Sequence, residues 1–485
     1  MHRLIQRILK RVRTLKQSEA PPKAPSPVQL QRDQHSISRK QIDKNALDVL
    51  YGLKRAGFDA YLVGGGVRDL LLGLEPKDFD VVTSARPEEV KAVFQRQCRL
   101  IGRRFRLAHV RFGRNLIEVA TFRGGADASD LDADSTNQND RKRLNNVRSV
   151  DDQGRLLRDN IYGTLDEDVW RRDFTINSLY YSINDFSIID YTGGLEDLKK
   201  GQIRLIGDPE QRYREDPVRM IRAVRFAAKL GFEIESQTQS PIITLAPLLK
   251  DVSHARMFEE VLKLFHSGVA VQVFEKLRQY HLFAYLFPQT DQLLEHELDN
   301  YPRMLVIEAL KSTDARIRHH KGVNPAFLFA AMLWEPMLAR RQTHIDEGLR
   351  PKEATDAAAY DVLTWQRPAT AVPRRFIGQI KDIWHLQFRL PRYQGARAQK
   401  LISHPRFRAA YDFLGIRVAA GTDQMQSVFE WWTHYQTLDS VAQVAYANQA
   451  EKHVKKGRRR RPRKNRNPYR KRTKQAGPTA NSSHE

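Results

Sequence analysis

Asp78 and Asp80 stand on either side of Phe79 and run into the apolar pair Val81-Val82. On a strand, residues two apart share a face. Two carboxylates placed that way suit the hard cation Mg²⁺, and two such ions can clamp an in-line phosphoryl displacement. Upstream, the apolar strand Tyr61 to Val63 breaks into Gly64-Gly65-Gly66, ahead of a helix-like segment beginning near Val67. Glycine permits positive φ and puts no Cβ in the way of a bulky anion. Successive backbone N–H groups at such a turn form a concave nest for phosphate. A phosphate cradle and a metal holder inside one stretch, Tyr61 to Asp80, point to nucleotidyl transfer.

Other polar residues can extend that chemistry. Leu100 to Thr121 alternates as two strands joined at Gly113-Arg114. Leu107, His109 and Arg111 share one face of the first. Leu116, Glu118 and Ala120 share one face of the second, with Ile117 and Val119 turned inward. Glu118 facing the Asp78/Asp80 sheet completes a triad of metal-binding carboxylates; a plain surface glutamate is the equal alternative. Asp166 to Leu179 reads as a helix, with Arg172, Asp173, Ile176 and Asn177 on adjacent turns. Arg172 can then meet a phosphate, and Asn177 a ribose hydroxyl or a phosphate oxygen. Asp173 can orient Arg172 or join the metal carboxylates. Beyond it, Asp216 before Pro217 reads as an N-cap followed by proline at the first helical position. Arg219, Arg222 and Arg225 recur every three residues along the next helix, beside Glu215 and Asp216. Donors next to acceptors can read a base edge and hold a triphosphate. A solvated helix with internal ion pairs is the bland alternative.

The partner is announced by charge. The 485 residues carry 81 Lys and Arg against 57 Asp and Glu, a net +24. Thirteen of those cations lie between Lys455 and Lys474, where no acid interrupts them, leaving +11 elsewhere. Arg458, Arg459, Arg460, Arg461, Arg463 and Lys464 belong to this run, and nucleic acid is the polyanion it implies. The single cysteine, Cys98, excludes an internal disulfide framework and fits a reducing compartment. No run of eighteen apolar residues offers a membrane span, and no apolar block near the N-terminus suggests secretion. The scattered histidines lack metal-ligand spacing.

Length suggests about three domains. Residues 1–41 read as a basic arm and a Pro- and Gln-rich linker; Leu4, Ile5, Ile8, Leu9, Val12 and Leu15 make one helical face. That arm is either a peripheral membrane or partner-docking helix or a frayed basic extension. Residues 42–205 form the catalytic head, with a helix from Ile42 to Ala56 and another from Pro87 to Phe94. Within it, 124–158 is polar enough to expect a mobile loop, and Ser187 to Tyr191 a strand. Residues 206–270 read as a helical neck that binds nucleotide and RNA, and 271–447 as a helical RNA-binding body and tail. A disordered basic tail occupies 448–485. The fold class expected is α+β: a head with a mixed β-sheet, then all-α domains.

Several of these stretches together carry a resemblance. V-G-G-G-V-R-D-x-L-L-G with D-F-D, R-R-D-F-T-I-N-S-L, Y-x-G-G-x-x-D-L, and R-E-D-P-x-R-M with R-A-V-R-F-A-A-K-L-G-F resemble the class II template-independent nucleotidyltransferases. That family holds bacterial poly(A) polymerases and tRNA CCA-adding enzymes, and the likeness spans about Ile42 to Phe265. Leu100 to Val110, Asn324 to Trp334 and the basic tail are similar to the poly(A) polymerase branch. The resemblance implies two Mg²⁺ ions on Asp78 and Asp80, with the third acidic role at Glu118 or Asp173. It implies that Gly64, Gly65 and Arg68 hold the triphosphate with Arg172, while Asn177 helps discriminate ribose. Glu215, Asp216 and Arg219 are implied to contact the incoming base in place of a template. The expected reaction is AMP transfer from ATP to RNA 3′ ends, serving RNA turnover in the cytoplasm. RNA-degradation proteins and the inner membrane face are further expected contacts. Two alternatives remain open: a CCA-adding enzyme, and a non-catalytic RNA-binding protein on a polymerase-like head.

Overall fold

The computed structural model describes residues 26–102, 106–124, 148–150, 156–159, 162–296, 303–421 and 425–459. The chain divides into two compact units, residues 1–377 and 378–485.

The first unit is built on an eight-stranded mixed sheet. Its strands are β1 (Val28–Leu30), β2 (Ala60–Val63), β3 (Asp80–Thr83), β4 (Cys98–Ile101), β5 (Leu107–Phe112), β6 (Asn115–Thr121), β9 (Leu179–Ser182) and β10 (Ile188–Asp190). The spatial order is β1-β10-β9-β2-β3-β6-β5-β4, with β3 and β6 parallel and the other neighbours antiparallel. Strands β7 (Arg148–Val150) and β8 (Leu156–Asp159) pair separately. Helices α1 (Lys44–Arg55) and α3 (Pro87–Phe94) cover one face, over buried Val81, Ala108, Val110, Ile117 and Val119. Between them α2 (Gly65–Leu71) follows β2 directly, two residues earlier than the apolar pattern suggests. On the opposite face α4 (Leu165–Arg171) brings Val169 into a small core with Val63, Val82, Phe122 and Tyr180. That core roofs β9, β2 and β3 and reaches Ala120 on β6 and Ile189 on β10, while further along the same face Glu118 and Arg111 stay exposed.

Two sequence expectations change here. The 100–121 region holds three strands: Leu100 and Ile101 belong to β4, because Cys98–Ile101 finds a partner in Leu107–Val110. Residues 166–179 are not one helix. The chain leaves helix at Arg172 (φ −67°, ψ 163°), makes one 3₁₀ turn at Thr175–Asn177, and enters β9. Leu179, Tyr180 and Tyr181 are fully buried there between β2 and β10. Pairing on both edges and burial of two aromatics outweigh helical spacing.

After β10 come α5 (Gly194–Lys200), β11 (Gln202–Ile203), α6 (Pro209–Glu215), α7 (Val218–Leu230) and β12 (Glu233–Ile234), which pairs with β11. From there the first unit is helical, including α8 (His254–Phe265), whose Phe258 stacks on Phe329 at 5.5 Å. The second unit packs Leu390, Phe407, Tyr411, Trp431, Trp432 and Tyr435 into one aromatic core, and Trp432 Nε1 donates to the Leu390 carbonyl at 3.0 Å. Arm residues 1–25 and Arg460, Arg461, Arg463 and Lys464 lie outside the described residues, as do the side chains of Arg458 and Arg459 and most of the 124–158 loop.

Candidate active site

One transverse row of the sheet organises the site. Register places Tyr180, Val63, Asp80, Glu118, His109 and Arg99 side by side on β9, β2, β3, β6, β5 and β4. Residues directly paired across strands point to the same face, so the carboxylates of Asp80 and Glu118 are neighbours by construction. Although Asp80 opens to solvent, the nearby protein and the like charges of Glu118 and Asp78 push its carboxyl up to about 6 despite the opposing pull of Arg172. His109 Nε2 lies 3.3 Å from Glu118 Oε1 on the other side. The result is a cluster of like charges short of a counter-ion.

Arg172 is a fixed cation whose charge opposes that of the cluster. Its Nε donates to Tyr180 Oη at 2.7 Å, and its Nε and Nη2 to Asp168 Oδ2 at 3.1 and 2.9 Å. Tyr180 Oη also donates to Asp168 Oδ2, at 3.0 Å, and the second carboxylate oxygen accepts Arg123 N–H at 3.2 Å. Asp168 is therefore fully engaged and buried, and the guanidinium stays charged in one orientation.

The turn between β2 and α2 closes the other flank. Gly64 sits at φ 75°, ψ −141°, and a Cβ there would stand 3.7 Å from Asp80 Oδ2. A Cβ on Gly66 would press to 3.3 Å from the Asp78 carbonyl oxygen. Such a backbone region belongs essentially to glycine. Gly64→Ala is expected to cost about 1–3 kcal/mol in stability from backbone strain alone and to raise KM for the nucleotide. Calorimetry and initial-rate kinetics on the purified variant check both, and an unchanged KM would detach the turn from nucleotide binding.

The Arg68 guanidinium lies against the turn, 3.5 Å from where a Cβ on Gly65 would stand, but its donors are engaged within the protein. The residue is 2% exposed and donates from Nε and Nη2 to Asp69 Oδ1 (2.8 and 2.5 Å) and from Nη1 to Asn177 Oδ1 at 2.6 Å. Arg68 and Asn177 thus hold each other beneath the site.

The neck residues are likewise paired within the protein. Asp173, half-buried, is held below the usual carboxylate range by the charges of Arg222 and Arg219, against the opposing effect of its desolvation; Arg222 Nη1 lies 2.7 Å away. That ion pair belongs to the head–neck junction, and the three carboxylates that bear on one another are Asp78, Asp80 and Glu118. Glu215 Oε2 accepts from Arg212 Nη1 (2.7 Å) and Arg219 Nη1 (3.0 Å). Asp216 takes a bidentate pair from Arg256 at 2.7 and 2.6 Å. Asp216 closes α6 and is not a side-chain N-cap of α7; Pro217 holds the position before Val218. The carboxylate is drawn to Arg256 on α8 because a bidentate ion pair outweighs a single N–H contact.

Sequence reasoning passed over Asp168, Tyr180, Arg212 and Arg256. Arg212 Nη2 donates to the carbonyls of Arg171 and Arg172 at 2.9 and 2.6 Å, tying α6 to the segment that carries Arg172. Its i, i+3 spacing to Glu215 was a readable signal. Arg256 lies forty positions beyond Asp216 and left none.

Asp78, Asp80 and Glu118 are hard oxygen donors, and the upward shift at Asp80 marks a need for positive charge. Among the described residues no three His, Cys, Asp or Glu side chains close into a ready-made metal cage. Mg²⁺ does not require one, since it is held by one or two carboxylates together with substrate phosphates. The donor set fits that ion.

A nucleotidyltransferase head followed by helical domains is the class that this sheet and site define. Residues 60–204 match the Poly A polymerase head domain, 231–294 the probable RNA and SrmB- binding site of polymerase A, and 347–467 the polymerase A arginine-rich C-terminus. The chain is 50% identical to Poly(A) polymerase I of Salmonella typhi over 89% of its own length and 91% of that protein. It is 37% identical to the CCA-adding enzyme of Geobacillus stearothermophilus over 50% of its length and 54% of that enzyme. In fold it is similar to the Thermotoga maritima CCA-adding enzyme complexed with tRNA, at a TM-score of 0.50 and 20% identity, covering 82% of this chain and 84% of that one. The chain belongs to the poly(A) polymerase family.

Proposed function

We propose that this chain is a template-independent polynucleotide adenylyltransferase, adding AMP from ATP to RNA 3′ ends. The observation that carries the reading is the near full-length match to Poly(A) polymerase I, over 89% of the chain against 50% for the CCA-adding enzyme. The RNA 3′-oxygen forms a bond to the α-phosphorus while the bond to pyrophosphate breaks and the hydroxyl proton is lost to water. Two Mg²⁺ ions, when bound, lower the pKa of the attacking hydroxyl and neutralise the leaving oxygens. Asp78 and Asp80 hold them, with Glu118 as the third acidic group. Asp173 is assigned a positioning role through Arg222. The glycine turn and Arg172 receive the triphosphate, and Arg68 and Asn177 brace that floor near the ribose. Glu215, Asp216 and Arg219 line the neck toward the base.

Arg458, Arg459, Arg460, Arg461, Arg463 and Lys464 are proposed to grip RNA through phosphates without sequence choice. Among the described residues no helix is long and apolar enough to cross a membrane. We place the reaction in the cytoplasm, with inner-face membrane contact through the arm and RNA-degradation proteins as proposed partners. An RNA ending in a 3′-deoxynucleotide tests the chemistry: it should release no pyrophosphate from ATP, whereas the same RNA with a 3′-hydroxyl should. Equal release from both would make the activity ATP hydrolysis and overturn the reading.

A further inference from the structure

The row of side chains through Asp80 is asymmetric. On its β2 side stand Val63 and the glycine turn, where a Cβ placed on Gly64 would come to 3.7 Å from Asp80 Oδ2. On its β6 side the row runs through Glu118 and His109 to Arg99, and the adjacent row places Arg111 across from Leu116. Arg99, Arg111, Leu116 and Glu118 are exposed, and Leu116 is an apolar side chain left open at 39%. Among the described residues neither Arg99 nor Arg111 shares an ion pair, unlike Arg172, Arg212, Arg219 and Arg222. Residues directly paired across strands lie one strand spacing apart, so Arg99 stands about 10 Å from Glu118 in Cα position.

Phosphoryl transfer places the attacking and leaving oxygens roughly in line across the phosphorus. If the triphosphate lies over the glycine turn, its pyrophosphate departs toward β2, and the attacking 3′-oxygen must enter from the β6 side. We propose that the open β6-β5-β4 face is the track of the RNA primer: Arg99 and Arg111 hold phosphates just upstream of the 3′ end, and Leu116 supports a terminal base or sugar. This rests on the nucleotide position given above. The track gives the sheet a polarity, with one substrate on each side of Asp80. Two exposed cations without an ion pair among the described residues, one in the row of the carboxylates and one in the next, match a polyanion in charge.

Binding of a short oligoadenylate, measured by fluorescence anisotropy without ATP or Mg²⁺ across a salt series, tests the track separately from catalysis. Arg99→Ala/Arg111→Ala should weaken binding roughly tenfold and lower the slope of log K against log salt by about 1.4, the share of two single-strand phosphates. Arg99→Lys/Arg111→Lys should keep the slope. KM for ATP at saturating RNA should be unchanged, as should the melting temperature. An unaltered slope and affinity in the alanine pair would overturn the proposal. So would a raised KM for ATP with RNA binding intact, since the cations would then serve the triphosphate and the polarity would reverse.

Discussion

Asp80→Asn will lower the rate of adenylate addition by roughly 10³-fold or more while leaving the melting temperature unchanged or higher. The two halves of that result come from one feature. Asp80 shares its row with Glu118 and lies two residues from Asp78, and its carboxyl is pushed up to about 6 by its surroundings and by those two charges. A group whose folded pKa is raised binds protons more tightly when folded than unfolded. Its stabilising effect is therefore present at low pH and is lost as pH rises through about 6. At neutral pH the ionised cluster opposes folding, and a neutral amide of the same shape removes the opposition. The same substitution removes a hard anionic donor from the place where divalent charge is needed. Stability exchanged for function is the usual signature of a working site. Single-turnover extension and differential scanning calorimetry on one preparation measure both. Near-normal activity would dismiss the metal assignment, and a large drop in melting temperature would mean that Asp80 is structural.

The second large effect is on stability. Asp168→Ala should cost about 3–5 kcal/mol, the range for removing one partner of a buried ion pair. Its carboxylate satisfies Arg172, Tyr180 and the Arg123 backbone N–H together. Without it, a guanidinium packed over the Tyr180 ring loses its counter-ion, and a buried hydroxyl loses its acceptor. Urea denaturation followed by far-ultraviolet circular dichroism gives the number. A loss below about 1 kcal/mol would place Asp168 in the class of exposed pairs and remove its claim to fix Arg172. Asp168→Asn keeps one acceptor and should lose less.

The sequence was most legible where chemistry and local geometry coincide. Gly64-Gly65-Gly66 can be read alone, because a positive φ depends on a few neighbouring residues, whereas Asp78 and Asp80 do not share a strand: the strand begins at Asp80, and Asp78 lies just ahead of it. Glu118 was half legible. Strand alternation gave its face, but only the parallel register of β3 with β6 puts it beside Asp80. The run from Arg172 to Leu179 was misread, since helical spacing cannot foresee that Tyr180 and Tyr181 are claimed by strands on both edges. Arg68 and Asp216 show the opposite limit. A motif names a charged side chain without saying whether it faces the substrate or another residue, and here Asn177 and Arg256 hold them. The fate of a long side chain is decided by partners far off in the chain, and those are fixed only when the fold closes.

Primer extension bears most directly on the central claim. Purified protein with Mg²⁺ would be offered an unstructured RNA, or a tRNA lacking its 3′ end, with ATP alone, CTP alone, or both. The structure and its relatives lead us to expect a long adenosine ladder on the unstructured RNA with ATP alone. Three added nucleotides on the tRNA, dependent on CTP, would contradict the account and assign the chain the CCA-adding reaction.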